Sequence, residues 1–254
     1  MARQESILKM RGVIGDLSFS KHRTRGYEVR AKGGVSKDRI MNDPNYVRTR
    51  ENMREFGTAS NKSRQIRRQL NNLSRGMADG SMGNRLLSLV YRIQKRDSES
   101  TRGSRTFRQE NAKSLQGFEF NRYSNLSAVF SAPLDVSLDR EAGTVKLVVP
   151  PFDPRVDVYL FQDATHIRFS MAAAILPDTD MALPRPIIAE TDYIPLIGEF
   201  GGTDLYSQIP TPSADVVYTV VGISVYQQVN RMFFSLNNGI HNALSIVQVD
   251  LPEE

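Results

Sequence analysis

The stretch VVYTVVGISVYQQVNRMFFSLNNGIHNALSIVQV, residues 216–249, decides the fold of this chain. Its runs at 216–227, 232–236 and 243–249 are rich in Val, Ile, Tyr and Phe, a composition typical of β-strands. The Asn237-Asn238-Gly239 turn separates the last two runs. Runs of the same character predict further strands at 126–132, 144–149, 156–161 and 165–172. Seven short strands separated by turns predict an antiparallel β-sandwich.

The segment 177–215 interrupts this series with six prolines and several acidic residues. Proline fits poorly inside a strand, so long loops with room for one strand are predicted there. The Ala172–Ala174 run is compatible either with a continued strand or with one turn of helix.

The N-terminal part of the chain predicts a β-hairpin. Leu17 and Phe19 alternate with serines, and Tyr27, Val29 and Ala31 alternate with charged residues. A period of two gives each strand one apolar face, and the polar stretch between the two runs forms the turn.

Three short amphipathic helices are predicted after the hairpin. The first begins at Asp43-Pro44 and ends near Phe56, with Gly57 as its stop. The other two cover about 61–74 and 84–96, where apolar residues recur at helical spacing. A hairpin and three short helices make a thin core, so this part is expected to pack against another surface.

Charge and proline content change together between the two parts. Residues 1–120 carry 26 Lys and Arg against 12 Asp and Glu, whereas residues 121–254 carry 7 against 16. Eleven of the 12 prolines lie from Pro133 onward. The sequence therefore predicts an α+β protein of two domains, a basic hairpin-and-helices unit at 1–122 and an acidic β-sandwich at 123–254.

Motifs for catalysis, metals and cofactors are weak. The chain has no cysteine, and its three histidines lack the i, i+4 spacing of a helical zinc site. The Gly12-Val13-Ile14-Gly15 stretch lacks the ending of a phosphate-binding loop, and no Gly-x-Ser-x-Gly elbow is present. Asp178-Thr179-Asp180, the closest pair of aspartates, lacks the calcium-loop pattern. No enzyme activity, catalytic residue, metal site or cofactor is predicted.

Hydropathy predicts no transmembrane segment, because no apolar run approaches 18 residues. The first residues, MARQESILKMRG, lack the apolar core of a secretory signal. The expected location is cytoplasmic by default, and export by a non-standard route or as part of a particle stays open.

Basic residues after the hairpin are the strongest functional pattern. Arginine outnumbers lysine among them, which favours bidentate contacts to phosphate or carboxylate. The predicted contact residues are Arg48, Arg50, Arg54, Lys62, Arg64, Arg67, Arg68, Arg102, Arg105 and Arg108. Two partners fit this chemistry, the phosphates of a nucleic acid and an acidic surface on another copy of the chain.

Two segments carry a resemblance to a known family. The first is Asn45-Tyr46-Val47-Arg48-Thr49-Arg50-Glu51-Asn52-Met53-Arg54-Glu55-Phe56-Gly57, which follows Gly33-Gly34-Val35-Ser36-Lys37 and Asp43-Pro44. The second comprises Gln227-Gln228-Val229-Asn230, Leu236-Asn237-Asn238-Gly239 and Asn242-Ala243-Leu244-Ser245-Ile246-Val247. Together they resemble a family of uncharacterised Bacteroidota proteins of about this length. The resemblance implies a shared fold and supplies no activity and no functional residues.

These observations predict a non-enzymatic structural subunit that assembles with copies of itself. Its basic half would meet the acidic sandwich of a neighbouring copy and form a filament, ring or particle. The hairpin would dock on a sheet edge or groove of that neighbour through Leu17, Phe19, Tyr27 and Val29. The alternative for the hairpin is packing against the helices or the sandwich of its own chain. The alternative is a nucleic-acid-binding protein, and a carbohydrate-binding or adhesin-like sandwich is permitted by the fold class alone.

Overall fold

The computed structural model describes residues 2–5, 7–31, 33–177, 185–210 and 215–252, with only the backbone of Asn237 and Asn238. The chain divides into two compact units, Met1–Glu51 and Asn52–Glu254. This division differs from the predicted one at 122 and 123. The reason is that the helices following Asn52 share a hydrophobic core with the C-terminal strands.

The first unit is built on a four-stranded antiparallel sheet. Its strands, in the spatial order β1-β4-β3-β2, are β1 (Ala2–Arg3), β2 (Gly12–Ile14), β3 (Leu17–His22) and β4 (Gly26–Ala31). The predicted hairpin is therefore confirmed as β3 and β4, paired from Leu17 with Ala31 to His22 with Gly26. A short helix α1 (Lys37–Asn42) and a 3-10 turn (Pro44–Tyr46) follow.

The second unit contains two antiparallel sheets, which confirms the α+β fold with sandwich-like sheets. The smaller sheet has the order β10-β6-β5, formed by β5 (Asp135–Asp139), β6 (Thr144–Val149) and β10 (Thr203–Gln208). The larger sheet consists of β7 (His166–Leu176), β8 (Ala189–Glu190), β9 (Ile194–Pro195), β11 (Val216–Val229), β12 (Met232–Ser235) and β13 (Ala243–Asp250).

The larger sheet lies between two hydrophobic cores. Alternate residues of β7 and β11, such as Phe169 and Val221, face Leu147 and Leu205 of the smaller sheet. The intervening residues face the helices on the opposite side. Burial on both faces explains why β7 and β11 read as nearly continuous apolar runs instead of alternating ones.

The helical layer consists mainly of α2 (Val47–Gln69), α3 (Asn71–Ser74) and α4 (Met82–Gln94). The predicted break at Gly57 is wrong, because α2 continues through it. Gly57 does not have the positive φ of a helix-terminating glycine. The buried residues Ile66 and Leu70 of this layer pack with Leu86 and Val90 of α4 against the larger sheet.

Two predicted strands are short helices instead. The segment 126–132 contains α5 (Leu126–Val129), and the segment 156–161 is preceded and partly replaced by α6 (Pro154–Asp157). Asp153 caps α6 by accepting a hydrogen bond from the Arg155 amide, and Pro154 occupies the first helical position. This helix start was not predicted because the composition of the segment is typical of a strand. The Ala172–Ala174 run continues strand β7.

Candidate functional site

The first unit presents one apolar sheet face, called here the hairpin face. Register places Leu17, Phe19, Tyr27 and Val29 on the same side, as the period of two predicts. Ile14 of β2 joins them because it pairs with Leu17. The neighbouring Val13 pairs with Ser18 and therefore lies on the opposite face.

This unit buries no apolar side chain among its described residues, and the only buried residue there is Glu28. Ile14 is 60% exposed and Leu17 is 44% exposed, while Phe19, Tyr27 and Val29 are half-buried. An isolated small sheet with an open apolar face is marginal in water. The hairpin face therefore has the character of a docking surface.

Cations surround the hairpin face. The ring of Tyr27 has the Arg11 guanidinium 5.6 Å and the Lys21 ammonium 5.4 Å from its centroid. A groove of about 460 Å³ runs beside them, lined by Arg11, Phe19, Ser20, Lys21 and Arg23. An apolar centre with a basic rim suits a partner surface that is both apolar and acidic.

The predicted contact residues at the start of α2 divide into paired and exposed cations. Arg48 forms an ion pair with Glu51 at 3.0 Å. Arg50 donates to the carbonyl oxygens of Ile40 (2.6 Å) and Asp43 (2.9 Å), so it fastens the turn that precedes α2. Arg54 is exposed on the helix surface.

Lys62, another predicted contact residue, points into the protein and has a structural role. It is buried, and its Nζ donates to the carbonyl oxygen of Pro177 at 2.6 Å. Gln69, two turns further along α2, donates to the carbonyl of Ile175 at 2.9 Å and accepts from the buried Tyr218 hydroxyl at 3.0 Å. Both side chains thus bind backbone carbonyls at or just after the end of β7.

The arginines of the 102–108 loop are held by the second unit itself. Arg102 donates to Asn52, and Arg108 pairs with Glu99 at 2.6 Å and with Asp97 at 3.4 Å. Arg105 is half-buried, and its carbonyl accepts from Gln94. The amide of Thr106, with other backbone and side-chain donors of this loop, lowers the pKa of Asp97. Much of the positive charge of this loop is therefore paired with groups of the second unit itself.

The structure brings Arg64, Arg67 and Arg68 together around one cavity of about 340 Å³. Asn71 and Arg185 complete its lining. Sequence reasoning identified the three helical arginines but missed Arg185, because a residue more than a hundred positions away carries no local signal of that contact. We call this site the arginine cavity.

A larger groove of about 680 Å³ lies between α4 and the segment leading to α5. Its Arg85 binds the Asp79 carboxylate and the carbonyls of Glu119 and Phe120, so this guanidinium connects chain segments. Burial raises the pKa of Glu119, whose carboxylate accepts from the Leu126 amide at 3.3 Å. Both charged groups therefore stabilise the fold through these contacts.

The described parts of the chain contain neither a candidate metal centre nor a helix that could span a membrane. His, Asp and Glu form no cluster of three or more suited to a metal ion within those ranges. The pair Asp178 and Asp180 lies outside the described residues. None of the described helices is long and apolar enough to cross a bilayer. Comparison of the chain with protein-family models, curated proteins and solved structures finds no match in any of the three.

Proposed function

We propose that this protein is a structural subunit that assembles with copies of itself through the hairpin face. The observation that carries the proposal is the first unit, a folded sheet in which no described apolar side chain is buried. Burying its apolar side chains contributes about 25 cal/mol per Å², which favours coverage of this face by another surface.

The proposed acceptor is the acidic sandwich of a neighbouring copy. Strand β5 is an edge of the smaller sheet, and its Asp135, Ser137 and Asp139 are exposed. Glu141 follows in the adjoining turn and is also exposed. These carboxylates complement the cations around the hairpin face, and an edge strand offers backbone groups for pairing.

Such a contact joins two different surfaces of the same chain. A heterologous contact of this kind leaves one unused surface at each end and therefore generates a ring or an open filament. Because the rim contacts are ionic and lie at the surface, assembly is expected to weaken as salt increases.

Ile14→Ser and Val13→Ser form a matched pair for the test. The two residues are adjacent and similarly exposed, at 60% and 57%, but they lie on opposite faces of the sheet. Sedimentation velocity should show assemblies for the native chain and for Val13→Ser, whereas Ile14→Ser should remain a 28.6 kDa monomer. A monomeric native chain at low salt and high protein concentration, or equal assembly of both variants, would contradict the proposal.

A further inference from the structure

The arginine cavity gathers four guanidinium groups from two separate segments. Arg64, Arg67 and Arg68 come from the last turns of α2, and Arg185 comes from the segment before β8. All four side chains are exposed to solvent. No carboxylate contributes to the described lining of the cavity, which contains only these arginines and Asn71.

Two of these arginines donate hydrogen bonds to neutral amide side chains. Arg64 donates to the Asn61 side-chain oxygen at 3.1 Å, and Arg185 donates to that of Asn72 at 3.2 Å. An amide orients a guanidinium without cancelling its charge. Elsewhere in the second unit, Arg85, Arg108 and Arg140 are bound to carboxylates. The cavity therefore keeps an uncompensated positive field in its described surroundings.

Helix α2 accounts for only part of this arrangement. Cations in the last turn of a helix are favoured by its dipole, and this applies to Arg67 and Arg68. The dipole of α2 gives no reason for Arg185 to converge on the same cavity. Guanidinium groups that converge without a carboxylate are the arrangement that binds phosphate, with two parallel hydrogen bonds from each planar fork.

Arg67 is also placed by a close approach to Gly83, in the first turn of α4. Its Nη1 lies only 3.2 Å from the position that a Cβ on Gly83 would occupy. The absence of a side chain at this glycine thus leaves room for the guanidinium. An alanine there would displace the end of a flexible side chain and would leave the helix backbone undisturbed.

We propose that the arginine cavity binds the phosphate backbone of a nucleic acid. The described lining contains no aromatic side chain for base stacking, so the proposed contacts are to phosphates and are independent of base sequence. This inference is separate from assembly, because it concerns residues of the second unit only.

The test is fluorescence anisotropy of a labelled single-stranded DNA of mixed sequence, titrated with the full chain over a series of salt concentrations. Four neutralised phosphates predict a slope of log affinity against log salt of about −3, since each contributes about −0.7. Arg67→Gln should weaken binding about tenfold and bring the slope to about −2. The control is Arg231→Gln, an exposed arginine in the turn between β11 and β12 and outside the cavity, which should leave both values unchanged.

Gly83→Ala separates binding from stability. Alanine is the better helix former, so the melting temperature should stay the same or rise. The added Cβ requires the Arg67 guanidinium to move by only a few tenths of an ångström, so affinity should fall by less than it does in Arg67→Gln. Binding by Arg67→Gln equal to that of the native chain, or absence of binding at low salt, would overturn the proposal. Calorimetric binding of inorganic phosphate without binding of the DNA would also overturn it, because the site would then serve a free anion.

The variant Ile14→Ser tests whether DNA binding depends on self-assembly. The monomer expected of this variant should retain the same salt slope. If the native chain binds DNA and this variant does not, the DNA contacts depend on assembly and the cavity alone is not the site. If neither protein assembles but both bind with the expected slope, the assembly proposal fails and this inference stands.

Discussion

The two units of this chain differ in how far they bury their apolar residues. In the second unit, strands β7 and β11 are covered on both faces, by the smaller sheet on one side and by helices on the other. In the first unit, the four-stranded sheet leaves Ile14 and Leu17 exposed. Both units contain antiparallel sheets, so strand pairing alone does not give a unit a buried core of its own. The second layer supplies most of the stability.

This difference has a functional consequence. A strand covered on both faces contributes to the fold and has no free surface for a partner. A sheet with an open apolar face is stabilised by whatever covers it, so folding and association become coupled. The contrast between the two units can be tested by changes that affect one and spare the other.

Removal of residues 1–32 should have the largest effect on assembly and little effect on the second unit. The deletion eliminates the hairpin face and leaves both hydrophobic cores intact, since all their members follow residue 58. Sedimentation velocity should show a monomer, and the melting temperature of the remaining chain should be nearly unchanged. Full-size assemblies of the shortened chain would refute docking through the hairpin.

Phe169→Ala and Phe19→Ala compare the same substitution in the two units. Phe169 is fully buried and packs edge-to-face on Phe130 at 5.0 Å, so its loss should cost about 3–5 kcal/mol of unfolding free energy. Phe19 is half-buried, so its loss should cost about 1 kcal/mol in the monomer. Urea denaturation of both variants in the Ile14→Ser background measures the two costs. Equal costs would mean that the first unit has a core of its own.

Gln69→Leu tests the polar contacts between α2 and the larger sheet at nearly constant volume. The change leaves the buried Tyr218 hydroxyl and the Ile175 carbonyl without the partner that Gln69 provides, at a cost of about 2–4 kcal/mol. Tyr218→Phe serves as the control and should cost about 1 kcal/mol by itself. Adding Tyr218→Phe to Gln69→Leu should recover part of the loss, and strict additivity would show that the two side chains do not interact.

Gly57→Ala should have the smallest effect and the opposite sign. Gly57 lies inside α2 with no atom near the position of an added Cβ, so alanine should stabilise the helix by about 0.5–1 kcal/mol. Thermal unfolding followed by circular dichroism measures the change. Destabilisation would indicate that the helix ends at this glycine, as the sequence pattern alone suggested.

The accuracy of sequence reasoning differs between these two regions for physical reasons. The hairpin of the first unit was predictable, because a sheet with one wet face alternates apolar and polar residues. The long strands β7 and β11 were recognised by composition, but burial on both faces erased the alternation that would have located the helical layer. The helix α2 was divided at Gly57 because a glycine signals a stop only when its backbone is left-handed, which the sequence does not specify.

The candidate surfaces show the same limit. Leu17, Phe19, Tyr27 and Val29 lie on one face as their spacing requires. The sequence identifies the basic residues of α2 but does not reveal which of them are exposed. Lys62 and Arg64 lie on the same helix and differ only in the direction in which their side chains point. Burial of Lys62 on Pro177 and convergence of Arg185 on the cavity both depend on contacts across more than a hundred residues.

Hydrogen exchange measured at several protein concentrations tests the central claim most directly. The account predicts that amides of Leu17–His22 and Gly26–Ala31 become more protected as concentration rises, because a neighbouring copy covers the hairpin face. Amides of Val216–Val229 should show the same protection throughout, since both faces of that strand are covered within the chain for most of its length. Protection of the hairpin that is independent of concentration would contradict docking on a neighbour.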